Sequence, residues 1–158
     1  MKRNLVLAAA ALFLLVSLPA SAQNLWGQAG STGIIDEASA ALYEFSGPTL
    51  RFKAGAVGTI VARYPIDSDT SNPGWASMSI SYAGPGVTVR VLEVNQCSAA
   101  EVLVTSFNNP NSPEATICIG HIFGGWPWNF TQRVYYLEVT LTRATTATNP
   151  QFHHARFP

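Results

Sequence analysis

The chain has 158 residues with nine basic and nine acidic side chains, and only 11% of it is charged, against roughly a quarter in ordinary soluble domains. The basic residues stand singly, so nothing offers a nucleic acid the patch or stripe that its phosphates require. Beyond the N-terminal segment described next there is chain for one ordinary domain, enough to bury a core.

Lys2 and Arg3 precede the apolar run Leu5–Leu18, which ends in Pro19-Ala20-Ser21-Ala22. This is the pattern of a secretory signal peptide of bacterial style over residues 1–22, with cleavage expected between Ala22 and Gln23. The run is shorter than the roughly 20 residues of a membrane helix, and no later segment approaches that length. An exported protein, extracellular or periplasmic, with no membrane span after cleavage is therefore expected. Its surface would be solvated by Ser, Thr, Gly and Asn rather than by charge, which leaves self-association open.

Residues 23–40 are rich in glycine and without periodicity, and read as a flexible N-terminal arm ahead of one domain over 41–158. Gly27, Gly30 and Gly33 are not a phosphate loop, because no strand precedes them and no Lys-Ser/Thr follows. Asp36–Phe45 fits a short helix capped by Asp36 or a first strand equally well. From Gly47 onward the hydrophobic period is two. Leu50 and Phe52 alternate with polar neighbours. Thr59–Tyr64 is a strand that Pro65 should close. Asp67–Asn72 places oxygen ligands at alternate positions, but Ser71 and Asn72 replace the ligand and glycine that a calcium loop needs, so side-chain capping of turns is expected there. Trp75–Tyr82 puts Ala76, Met78, Ile80 and Tyr82 on one face and Trp75, Ser77, Ser79 and Ser81 on the other.

After the Gly84-Pro85-Gly86 turn, Val87, Val89 and Val91 share a face, and then Leu92 and Val94 take over on the opposite side. That change of phase predicts a bulge near Val91-Leu92 or a strand buried on both faces. Val102–Phe107 follows. Cys97 and Cys118, the only cysteines, are expected to form a disulfide across this region, as a lone pair does in an oxidising compartment. Arg133–Arg143 is the longest strand, with Tyr135, Leu137, Val139 and Leu141 inward, and Gln151–Phe157 is the last. About eight short strands and almost no helix define an all-β chain, an antiparallel β-sandwich of jelly-roll type with one disulfide. A small closed barrel is the second choice of fold.

The strongest site candidate is the aromatic loop Phe123–Phe130. Trp126 and Trp128 flank Pro127 on a stiffened backbone, and with Phe123 and, at a distance, Trp75 they could offer flat apolar area to a glycan or a protein. The competing reading makes these rings a plug over the open end of the sandwich. His153 and His154 should point to opposite faces of a strand, so no metal site is expected, and no cofactor. No G-x-S-x-G or H-E-x-x-H is present, and no spacing among Glu93, Glu101, Glu138, Asp67 and Asp69 marks a catalytic pair. Three functions remain. The leading one is a secreted non-catalytic module that binds a glycan, cell-wall polymer or protein through the aromatic loop. The alternatives are a subunit that exchanges strands through its arm with Phe157 aiding docking, and a small secreted hydrolase.

Overall fold

The computed structural model describes residues 25–109 and 117–158. Residues 1–24, which include the expected signal peptide, and residues 110–116 lie outside the described residues. Two antiparallel sheets face each other. The first holds β1 (Trp26–Ala29), β3 (Tyr43–Ser46), β4 (Thr49–Phe52), β6 (Ser77–Ala83), β9 (Ile117–Ile122) and β11 (Gln151–Phe157). Its order is β3-β4-β11-β6-β9, with β1 paired to the far end of β11. The second contains β2 (Ile34–Ile35), β5 (Gly58–Ile66), β7 (Val87–Asn95), β8 (Glu101–Asn109) and β10 (Arg133–Arg143), in the order β2-β5-β10-β7-β8.

The period of two builds the core. β10 is flanked on both sides, with Leu137 between Tyr64 and Val91 and Val139 between Ala62 and Val89. These positions are fully buried, and they face Leu50, Met78, Ile80, Tyr82 and Phe152 of the first sheet. β10 and β11 occupy the residues that their alternation predicts. β5 runs through Pro65 to Ile66 instead of stopping at Tyr64, with Pro65 in register opposite Tyr136.

The N-terminal arm does not hang free. Trp26–Ala29 adds to β11, Ile34–Ile35 adds to β5, and the Trp26 ring is buried against Phe157 at 5.3 Å between centroids. Both readings of Asp36–Phe45 hold in part. Asp36 Oδ1 accepts from the Ala38 amide to cap a single 3-10 turn over Glu37–Ser39, and β3 follows.

The predicted irregularity falls at Val91/Leu92, where the β7–β8 register shifts. The partners step from Val91 with Thr105 to Leu92 with Leu103, so Val104 is the extra residue and β8 carries the bulge. The β7–β10 ladder passes through unbroken. Leu92 thus points away from the core, yet it is buried between Tyr136 and Leu103 on the outer face.

Two further expectations are overturned. Cys97 and Cys118 are free and exposed rather than bridged. Cys97 sits in the turn after β7 in one sheet, while Cys118 pairs opposite Ser81 in the other, on the face turned away from the core. The histidines also depart from strict alternation. The β6–β11 register shifts between Phe152 and His154, and the buried positions step from Phe152 to Ala155. His153 and His154 therefore both leave the core side. Burial and the neighbouring His154 lower the His153 pKa, and its Nδ1 shares a hydrogen bond with Thr49 Oγ1 at 2.9 Å. Among the described residues no three His, Cys, Asp or Glu side chains gather as metal ligands.

Candidate ligand-binding surface

Four aromatic residues were singled out by sequence, and the structure divides them. Trp75 and Trp128 are buried in the core at the end of the sandwich where β10 begins. Trp75 does not join the outward serines, because β6 starts only at Ser77 and strand parity does not reach it. Trp75 stacks on Phe157 (4.8 Å, 10°) and meets Trp128 edge-on at 5.4 Å, and the Trp128 indole N–H donates to the Trp75 carbonyl at 2.8 Å. Phe130 and Tyr135 complete the cluster, each packed against Trp128. These two indoles close the end of the hydrophobic core and present no face to solvent. Trp126 and Phe123 are half-buried and keep surface toward water. Phe123 lies edge-on to Trp128 and Phe157.

One carboxylate ties this cap together. Glu93 stands opposite Tyr135 on the inward face of β7. Its Oε2 accepts from the Trp126 Nε1–H and from the Tyr135 hydroxyl, each at 3.0 Å, and its Oε1 pairs with Arg133 Nε at 3.4 Å. A charge that is nearly enclosed requires such partners. Burial first, and then Glu93, raises the Tyr135 pKa, while a hydrogen bond from the Asn129 amide opposes the shift. Trp126 is thereby held in one orientation.

The outward face of the second sheet carries a different pattern, laid out in rows across the strands. Pro65, Tyr136, Leu92 and Leu103 stand in register as an apolar row, with Val134 and Val94 one step further along. Leu103 and Val134 are each about half exposed. In the next row Arg63, Glu138, Arg90 and Ser106 are in register. Beyond it lie Val61, Thr140, Thr88 and Asn108.

Glu138 sits at the centre of this face with only 11% of its side chain exposed. Arg63 donates from Nε and Nη2 to its Oε2 at 3.2 and 3.1 Å, and Arg90 Nη1 donates to its Oε1 at 3.2 Å. Both guanidiniums keep more than two-fifths of their side-chain surface in solvent. Asp36 approaches Arg63 from the neighbouring edge at 3.8 Å. The Tyr136 hydroxyl donates to Glu101 Oε1 at 2.6 Å, and burial together with that carboxylate pushes the phenol up to about 12. The pairing of Glu138 with Arg63 and Arg90 was invisible in one sequence, because register across three strands sets it. The outward position of Glu138 on its strand was legible.

The carboxylates weighed as catalytic are dispersed. Glu93 faces inward under the cap, Glu138 lies between two arginines, and Glu101 holds Tyr136. The 67–74 loop is organised by turn capping, with Ser68 Oγ accepting from the Thr70 amide and Asn72 Oδ1 from the Gly74 amide. Among the described residues no helix is long and apolar enough to cross a membrane.

No protein-family model and no curated protein matches this chain. Solved structures similar to it include the C-terminal family 6 carbohydrate-binding module of LamC from Zobellia galactanivorans, with a TM-score of 0.45 and 9% identity over 85% of this chain and 98% of that one. A family 36 carbohydrate-binding module in complex with calcium and xylotriose gives 0.39 and 14% over 79% and 99%. A family two carbohydrate esterase from Cellvibrio japonicus gives 0.42 and 9% over 84% of this chain, which spans 33% of that protein.

Proposed function

We propose that this chain is an exported, non-catalytic binding module whose ligand is a glycan lying across the outward face of the second sheet. The observation that carries the reading is the fixed Arg63–Glu138–Arg90 row beside the apolar row of Tyr136, Leu92 and Leu103. A pyranose ring offers an apolar C–H face and an edge of vicinal hydroxyls. Neighbouring rows on one face lie about 7 Å apart, two strand residues, so one row can meet the ring face while the next meets the hydroxyls. The ion pairs hold the donors and acceptors in place before binding, which lowers the ordering cost. The reading rests on these side chains and not on any likeness of fold. The strand order β4-β11-β6-β9 against β5-β10-β7-β8 supports a jelly roll as the architecture.

A second reading keeps Trp126 and Phe123 as the contact, because both loop rings keep surface toward solvent, unlike Trp128. One calorimetric titration series separates the two, using cellohexaose, xylohexaose and laminarihexaose as probes. Tyr136→Ala and Arg63→Ala should each weaken binding about tenfold, the effect of losing roughly 1.4 kcal/mol, in protein that circular dichroism shows to be folded at the titration temperature. Trp126→Ala should bind as the parent does. If Trp126→Ala alone abolishes binding, the loop is the contact. If none of the probes binds the parent protein, the glycan reading fails.

A further inference from the structure

At the end of the sandwich opposite the aromatic cap, Arg143 closes β10 and is 8% exposed. Its guanidinium carbon lies 5.8 Å from the centre of the Phe52 ring. Nη1 donates to the carbonyls of Lys53 and Ala56 at 3.5 and 3.1 Å, and Nη2 to the Thr146 carbonyl at 3.1 Å. Nε is buried and has no partner. Among the described residues no carboxylate pairs with this guanidinium, since Glu44 is engaged by Arg51 at 2.8 Å. A cation taken out of water and met only by carbonyl dipoles lacks its counter-charge.

Arg143 also lines an open pocket of about 300 Å³ with Glu44, Arg51, Phe52, Ala54 and Asn149. Two guanidiniums and one carboxylate leave that pocket one positive charge in excess. We propose that it is a site for a single carboxylate group, with the partly exposed Arg51 offering the hydrogen bonds, Arg143 behind it adding charge, and Ala54 giving apolar surface. A monocarboxylate cancels the excess, whereas a dianion would overshoot it and press against Glu44. The flat carboxylate also matches the plane of a guanidinium. This site is independent of the glycan surface, which lies on the outer face of the sheet.

Amide-resolved NMR titration of the full chain at fixed ionic strength tests the proposal, with sodium propionate and sodium glucuronate as carboxylate probes and glucose and sodium chloride as controls. Saturable shifts at Phe52, Arg143 and Asn149 are expected with both carboxylates and with neither control. Arg51→Gln, at a partly exposed position, should weaken them about tenfold, as the loss of one charge-assisted hydrogen bond does. Glu44→Gln should tighten them, because it removes the competing carboxylate. Equal shifts with chloride, no saturable shift with either carboxylate, or unchanged binding in Arg51→Gln would each overturn it.

Discussion

Two tryptophans separated by one proline have opposite roles, and the difference comes from what each indole touches. Trp128 is 2% exposed, gives its N–H to the Trp75 carbonyl, and packs on Trp75, Phe130, Tyr135 and Phe157. Truncating it removes a large buried ring and a buried hydrogen bond, so Trp128→Ala should cost about 3–5 kcal/mol in urea unfolding. Trp126 is half-buried and makes one hydrogen bond to Glu93, which keeps Tyr135 and Arg133 as partners. Trp126→Ala should therefore cost only about 1–2 kcal/mol. Equal losses would mean that both rings are core. The sequence showed a rigid aromatic loop but could not show which ring turned inward. Strand parity does not extend into an irregular loop, and the Trp75 and Tyr135 neighbours come from distant parts of the chain.

At the scale of elements, what was legible is what alternation controls. β10 and β11 were readable to the residue, and the irregularity at Val91-Leu92 showed as a phase change in apolar residues. What misled was glycine. Gly30 and Gly33 read as flexibility, but each marks a close approach of the arm to the core. A Cβ on Gly30 would collide with the Phe152 carbonyl and stand 2.9 Å from the Leu50 nitrogen and Pro48 oxygen. One on Gly33 would strike the Tyr64 ring, whose hydroxyl donates to the Gly30 carbonyl at 2.8 Å. The neighbours are backbone and buried ring, so neither can give way cheaply. Gly30→Ala should thus lower stability by about 1–3 kcal/mol, the range for overpacking, and weaken the docking of β1 and β2. Amide exchange at Gln28 and Ile35 would report it. A substitution tolerated without loss of stability or protection would restore the picture of a mobile arm.

For the whole molecule, the two sheets meet through an apolar core that needs no covalent tie, and the placement of the cysteines follows from that. Cys118 lies between positions 117 and 119 of β9, and Ile119 packs toward the core, so alternation already turns Cys118 outward. Cys97 stands at the end of the other sheet, in a turn held by Asn95 Oδ1, which accepts from the Cys97 and Ser98 amides. The pairing habit of two cysteines in an exported chain points to a bridge, and strand parity overrides it. Both thiols should react with Ellman's reagent in the native protein, at rates set by exposure and not by unfolding. The thermal midpoint should be the same with and without reductant, since no loop is closed in the unfolded chain. A native protein with no reactive thiol and a midpoint that falls on reduction would place the bridge back in the fold. That result would require β9 to turn over, because a one-residue slip is what carries Cys118 to the inner face, and the same slip would expel Ile119 from the core.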